Sequence, residues 1–291
     1  MAAADYLATV EVLQDAAQEN KLSSFRRGQT VWLPSEGEVF MSGDIHDHRK
    51  NLAKLIAVAD LENHPERHIV LHELIHGDHY DDTGAEDSWH SLVKAAELKL
   101  DYPEQVHFLL ANHDLAQIHG EGISKGGASV CEAFNKGVKR DFAPDHGKVQ
   151  SALTEFLLSF PLAVRNESHL FFSHSVPNED QVETFDYSVF DREELEGKDY
   201  AKRVGPVYQL IWGRRTSPEG VAKFLGKVNA KAIVTGHQPQ DMGYAQNGEQ
   251  HVIIASDHNH GCFIPLKLGR DYTADEVVGL IEKFVGVELG E

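Results

Sequence analysis

Val39-Phe40-Met41-Ser42-Gly43-Asp44-Ile45-His46 runs from an apolar segment straight into two side chains that bind hard cations, and its reading decides the fold. Three consecutive apolar residues predict a buried strand. Just beyond it, a loop can turn a carboxylate and an imidazole two residues apart towards one ion. The arrangement recurs four times: Ile69-Val70-Leu71 precedes Gly77-Asp78, Val106 to Leu110 precedes Asn112-His113-Asp114, Leu170-Phe171-Phe172 precedes His174, and Ala232 to Val234 precedes Gly236-His237. One Asp-x-His is a chance product in a chain with 18 histidines. Five in order outline a two-metal hydrolase site, because ligands gathered at strand ends are the expected geometry of α/β folds.

Between these strands Leu52, Leu55, Ile56 and Ala59 recur at helical spacing, predicting a helix over Lys50 to Leu61, and Ser88 to Leu100 repeats the behaviour. Tyr6 to Leu22 and Val149 to Phe160 also read as helices. Residues 115–160 contain no clear strand and are read as a mostly helical insertion placed to roof the site. Asn178 to Lys202 is acidic and interrupted by Phe185, Tyr187, Phe190 and Tyr200, which reads as a solvated lid or irregular loop. Thr273-Ala274-Asp275-Glu276 has capping-box form before Val277, Val278, Leu280, Ile281 and Phe284, predicting a closing helix. With no internal repeat and no linker, the chain is expected to form one α/β domain over 1–291 that carries the insertion.

A formal charge of −19 argues against bulk nucleic acid as a partner, since polyphosphate backbones reward Lys and Arg clusters that this chain lacks. No apolar run approaches the length of a membrane span. Met1 to Asn20 mixes four acidic residues among its apolar ones, unlike a signal peptide, and two cysteines, Cys131 and Cys262, cannot make a disulfide framework. A cytoplasmic setting with reduced thiols is expected. The acidic balance suits a divalent-metal protein, because bound cations offset negative charge locally and leave a positive spot for phosphate.

A two-metal site needs a carboxylate that bridges both ions, with imidazoles and oxygens completing each shell and a place left open for water. Asp78 is the candidate bridge. Asp44 and His46 would serve one ion; Asn112, His174 and His237 the other. Two ions about 3.5 to 4 Å apart lower the pKa of a shared water towards neutrality, which makes hydroxide available to attack phosphorus. His113, with Asp81 holding its ring, is placed to protonate the departing oxygen, a contribution of about 10² to 10⁴ in rate.

GDIHDH (43–48), GDHYDD (77–82), ANHD (111–114), SHS (173–175) and TGHQPQDMGY (235–244) together resemble the calcineurin-like metallophosphoesterases. The likeness is to the serine/threonine phosphoprotein phosphatase branch, whose pattern runs GDxHG, GDxVDRG, GNHE, HGG and a late Ala-His-Gln. The resemblance spans Ser42 to about Gly261 and implies two packed mixed β-sheets flanked by helices, with two divalent or trivalent ions such as Mn, Fe or Zn at the strand ends. Carried over, Asp44, His46 and Asp78 match one metal's ligands, Asp78, Asn112, His174 and His237 the other's, and His113 with Asp81 the acid pair.

Departures from the pattern bear on substrate. Asp82 stands where the protein phosphatases keep an Arg, replacing a phosphate clamp with a repelling carboxylate. Ala111 replaces the Gly before Asn112, and Ser175-Val176-Pro177 follows His174 where the pattern has two glycines. Gln238-Pro239 offers no second His, which favours the phosphatase branch over phosphodiesterases reading Gly-His-x-His. Trp212-Gly213-Arg214-Arg215 is similar to a stretch in relatives that clamp phosphate with Arg, diadenosine tetraphosphate hydrolases among them. Arg214 and Arg215 are therefore candidate substrate contacts, with surface salt bridges as the alternative. Ser256 to His260 is either a pocket wall or a polar turn.

Two rival readings belong to other classes. His72-Glu73-Leu74-Ile75-His76 matches the His-Glu-x-x-His signature of zinc peptidases, which requires a helix to bring both imidazoles to one zinc. Here it continues an apolar strand and meets Gly77-Asp78 at once, and His79 takes the place of the Gly of the extended motif. A non-catalytic metal-binding scaffold is the other rival, and would be supported by missing ligands. The expected activity is hydrolysis of a phosphomonoester or short phosphoanhydride in a phosphorylated small molecule, nucleotide or phosphoprotein, with a dinucleoside polyphosphate hydrolase as the alternative.

Overall fold

The computed structural model describes residues 5–120, 124–125 and 128–289. Two sheets carry the fold. In the five-stranded sheet, Glu38–Asp44 lies parallel to Arg67–His72, which lies parallel to Val106–Leu109; Cys262–Lys267 runs antiparallel on the other side of Glu38–Asp44, with Glu282–Lys283 at the edge. The seven-stranded sheet orders Arg26–Arg27, Thr30–Trp32, Ala163–Arg165, Leu170–Phe172, Ala232–Thr235, His251–Ile254 and Tyr244–Asn247.

The pleat decides what each strand buries. Val39, Met41, Val70 and Leu109 from one sheet meet Val164, Leu170, Phe172, Val234 and Ile254 from the other in one apolar layer. Their neighbours Phe40, Ile69, Leu71, Phe108, Phe171 and Ile233 point outwards into a second core shared with the helices. Both faces of the central strands are thus covered, which is why they read in sequence as unbroken apolar runs rather than alternating ones. At the site end the sheets touch, with Asp44 bridged to Ala255.

The helices follow their apolar spacing closely. Tyr6–Leu22 is capped by Asp5, whose carboxylate accepts from the Leu7 N–H at 3.0 Å; Arg49–Ala59 ends at Asp60 in the left-handed region; Trp89–Asp101 follows the second motif. Within 115–160 lie the end of the helix Asn112–His119, paired two-residue strands Ser124–Lys125 and Ala128–Ser129, and helices Val130–Phe142 and His146–Leu158. Residues 121–123 and 126–127 lie outside the described part. His146–Leu158 packs on Tyr6–Leu22, and its Phe156 meets Phe108 of the sheet edge-on at 5.3 Å.

Two expectations change. The segment 178–202 is irregular, with a 3-10 turn at Tyr187–Asp191, but it is not a solvated lid: Val182, Phe185, Val189 and Phe190 are buried, and Phe190 packs edge-on to Phe171 at 5.5 Å. Each aromatic ring hides on the order of 150–250 Å². Its acidic side chains are partly neutralised, with Arg192 gripping both Asp186 and Asp199. At the other end of the chain, the helix begun by the Thr273–Glu276 capping box stops at Val278. Glu282–Lys283 then adds to the sheet, pairing antiparallel with Phe263 and Cys262.

Candidate metal centre

The C-terminal ends of the parallel strands in both sheets converge on one buried polar cluster. Asp44 closes the strand Glu38–Asp44, and its Oδ1 accepts the His237 backbone N–H at 2.8 Å, tying the sheets together across the site. His46 follows in a left-handed turn (φ 43°) and presents Nδ1 to the Ile75 carbonyl at 3.0 Å, which directs Nε2 away as a free lone pair. Asn112 and His113 begin the helix after Val106–Leu109, a helix capped by Asp114, whose Oδ2 accepts the Ala111 N–H at 2.9 Å. His174 follows Leu170–Phe172, and His237 follows Ala232–Thr235 with φ 67°.

Glu73 sits at the middle of this cluster. Register pairs Asp44 with His72, so Glu73 is the first residue beyond the strand and its backbone turns into the left-handed region at φ 50°. Its Oε2 is 3.2 Å from His174 Nε2, and its Oε1 accepts the His113 backbone N–H at 3.2 Å and lies 3.8 Å from His113 Nε2. Asn112 Oδ1 is 2.7 Å from both His174 Nε2 and His237 Nδ1, which are 3.1 Å apart. Among the described residues, three groups of possible ligand atoms emerge: Glu73, His174 and His237; His46, Glu73 and His113; and Asp44, His72 and His174.

The electrostatics fit a cation. Burial, reinforced by the Asp44 carboxylate, pushes Glu73 well above the usual carboxylate range, and the two carboxyls stand within hydrogen-bonding reach of each other. Burial, with the neighbouring His237 and His72 rings, holds His174 well below the ordinary histidine value; burial and then Arg214 lower His237 to about 3. Those two rings are therefore neutral. Four lone-pair atoms, Glu73 Oε2, Asn112 Oδ1, His174 Nε2 and His237 Nδ1, crowd one dry spot, and a positive ion there would relieve both their mutual repulsion and the carboxylates' unfavourable charge.

The structure thus brings together Asp44, His46, Asn112, His113, His174 and His237, but not Asp78 or Asp81. Asp78 is exposed, five residues past Glu73 in a loop. Asp81 is turned to other partners: its carboxylate accepts from the Thr83 hydroxyl and N–H, the Ala85 N–H and Arg140, with the Thr83 hydroxyl and then the Arg140 guanidinium holding it well below the usual range. The ring of His113 lies instead against His76, Nδ1 to Nδ1 at 3.0 Å, and His76 Nε2 meets Gln117 Oε1 at 3.0 Å. Counting the GDxVDRG pattern from Glu73 puts His76 where its second Asp falls, and the comparison of Asp82 with the pattern's Arg no longer applies.

The His-Glu-x-x-His stretch forms no helix. His72 ends a strand, Glu73 and His76 both have positive φ, and the two imidazoles go to different neighbours, His174 and His113. The peptidase geometry is absent. Arg214 and Arg215 are exposed, held by their backbone N–H groups on Asn178 Oδ1 at 3.0 Å. Ser256 to His260 is a turn pinned by Asn51 Nδ2, which donates to the Ser256 and His258 carbonyls.

A family model for calcineurin-like phosphoesterases matches residues 39–241, a span that runs from the strand before Asp44 to just past His237. The chain belongs to the calcineurin-like phosphoesterase family. It is a metal-dependent phosphoester hydrolase with the family's α/β architecture of two mixed sheets and flanking helices. No curated protein sequence matches it. Among solved structures, it is similar to a protein serine/threonine phosphatase from Saccharomyces cerevisiae with similarity to human phosphatase PP5, at 14% identity and a TM-score of 0.69 over 99% of this chain and 92% of that one. A cold-active protein-tyrosine phosphatase of a psychrophilic Shewanella species follows at 13% identity and a TM-score of 0.57, covering 92% and 83%. At such identities these likenesses concern the fold. Among the described residues, no helix is long and apolar enough to cross a membrane.

Proposed function

We propose that this phosphoesterase holds two cations, one on Asp44, His46 and Glu73 and the other on Glu73, Asn112, His174 and His237, with Glu73 as the shared carboxylate. The observation that carries this is the convergence on His174 Nε2, which lies 2.7 Å from Asn112 Oδ1, 3.1 Å from His237 Nδ1 and 3.2 Å from Glu73 Oε2, with Asn112 Oδ1 also 2.7 Å from His237 Nδ1. Such a pair supplies, when bound, the charge that makes water nucleophilic near neutral pH and that offsets a phosphoryl group's negative charge. The mixed O and N donors suit Mn, Fe or Zn.

The protein's own part is positioning and proton transfer. His76 gives its Nε2–H to Gln117 and so keeps a lone pair on Nδ1 for the His113 Nδ1–H; a second proton on His113 then sits on Nε2, and the imidazolium hands that Nε2 proton to the departing oxygen and returns to the neutral Nδ1–H ring. Arg214, close enough to His237 to lower its pKa, and Arg215 would orient the phosphate. A phosphomonoester or short phosphoanhydride is the substrate class, in a phosphoprotein or a small molecule. A dinucleoside polyphosphate is favoured by one feature: Arg215 lines a cavity of about 300 Å³ with Arg203, Tyr208 and Trp212, the last two stacked at 5.4 Å and Trp212 itself 6.3 Å from the His237 ring. Two buried thiols, Cys131 and Cys262, fit a reducing, cytoplasmic setting.

After reconstitution with Mn, Zn or Fe, turnover of nitrophenyl phosphate, bis-nitrophenyl phosphate, a phosphopeptide and diadenosine tetraphosphate tests this assignment. Metal-dependent cleavage of the monoester or the anhydride is expected, with KM raised in Arg214→Ala or Arg215→Ala. Preference for the diester, or KM values untouched in both Arg variants, would refute the substrate reading.

A further inference from the structure

His72 is a fully buried imidazole that the proposed reaction does not use. If Glu73 is the shared carboxylate, His72 stands where the family pattern has a glycine, so this ring is a feature of this chain. Its Nε2 lies 2.9 Å from the Ser42 carbonyl oxygen, which only accepts, and therefore carries the proton. In a neutral ring the remaining nitrogen, Nδ1, is a bare lone pair. It faces His174 Nδ1 at 3.1 Å, with the rings edge-on at 81°. Asp44 Oδ1, at 3.7 Å from His174 Nδ1, is too far to take that hydrogen bond. Were His174 Nδ1 also bare, two lone pairs would oppose each other at contact distance in a dry interior.

We propose that His72 is a positioning residue that fixes the tautomer and angle of His174. The proton order runs from Ser42 outwards: His72 Nε2–H donates to the Ser42 carbonyl, His174 Nδ1–H donates to His72 Nδ1, and His174 Nε2 is left as a lone pair aimed at Glu73, Asn112 and His237. An imidazole so held loses no orientational freedom on binding a cation and is made more basic by its partner. The seat is built for the ring: a Cβ on Gly236 would come 2.5 Å from His72 Cε1. The cation-binding part of this inference rests on His174 being a metal ligand; the tautomer does not.

Long-range proton–nitrogen NMR on the metal-free and the zinc-loaded chain, with His72→Phe and His72→Asn compared by chelator competition and elemental analysis, tests it. Expected are His174 protonated on Nδ1 in both states of the wild type, and a weakening of zinc binding by about 10 to 100-fold in His72→Phe with both ions still bound at saturation. His72→Asn, whose carbonyl oxygen replaces the Nδ1 acceptor, should recover most of the affinity. A His174 proton on Nε2 in the metal-free protein overturns the proposal even if His72→Phe fails to fold. Unchanged affinity in His72→Phe also overturns it, as does loss of one ion at saturation, which would make His72 itself a ligand. A wild type that takes up no ions while keeping the Nδ1 proton on His174 would instead sink the two-cation assignment and leave the tautomer standing.

Discussion

Between His72 and Gly77 the backbone enters the left-handed region twice, at Glu73 (φ 50°) and His76 (φ 64°), a conformation uncommon for residues with a Cβ. That path is what separates the sequence reading from the structure. Gly77-Asp78 has the form of the family's second motif, yet Gly77 is glycine for another reason: a Cβ there would lie 2.5 Å from Asp47 Cβ, where the first and second motif loops abut. The usable signal was Glu73 itself, an acid directly after an apolar run, as Asp44 is. Asp44, His46, Asn112, His174 and His237 were legible because each follows its strand within a few residues, whereas the pairing of His76 with His113 depends on two left-handed turns that no periodicity encodes. Gly236 gives the residue-scale prediction. A Cβ there would stand 2.2 Å from Asp44 Oδ1, so Gly236→Ala should displace that carboxylate and lower kcat/KM by about 10²-fold, with a reduced metal content by elemental analysis. Full activity in this variant would mean Asp44 is not held where the site needs it.

At the scale of elements, buried strands and amphipathic helices were readable because their patterns report what they pack against. Tyr6–Leu22 keeps its expected bounds, and Arg49–Ala59 and Trp89–Asp101 shift by one or two residues at their ends. The segment 178–202 was not readable, since its acidic composition suggests solvent while its aromatics are spaced with no regular period and still reach the core. It is stitched to the helix Pro218–Val228 by Glu179, whose carboxylate accepts from the Ser217 N–H at 2.9 Å and the Ser217 hydroxyl at 2.7 Å. Ser217 also caps that helix, its Oγ accepting the Gly220 N–H at 3.1 Å. Ser217→Ala should cost about 1 kcal/mol, or on the order of 2 °C in a thermal melt. An unchanged melt would show that neither link matters.

For the whole molecule, buried neutral histidines away from the site set an acid limit. Burial lowers His68 to about 4 and His251 to about 4, and holds His107 well below the ordinary value. Each folded-state pKa is depressed, so the unfolded chain binds more protons from pH 6.5 downwards; this stability is whole above 6.5 and is lost as pH falls through about 4. Glu86 runs the other way. Its carboxyl, pushed by burial up to about 7, contributes below the unfolded value of 4.5 and loses that contribution as pH rises through 7. The informative quantity is therefore the difference between wild type and His251→Gln in urea midpoints from pH 7 to 4. The variant should lose less stability on acidification; equal slopes would show that His251 does not titrate with folding.

The proposed chemistry depends on which carboxylate the two cations would share. Turnover of nitrophenyl phosphate and bound-metal content, measured side by side for Glu73→Gln and Asp78→Asn after Mn reconstitution, decides it. Glu73→Gln is expected to lose at least about 10²-fold in kcat/KM and to bind fewer ions, while Asp78→Asn stays within about 3-fold of wild type and keeps both. The reverse pattern, an active Glu73→Gln and a metal-poor, inactive Asp78→Asn, would contradict it.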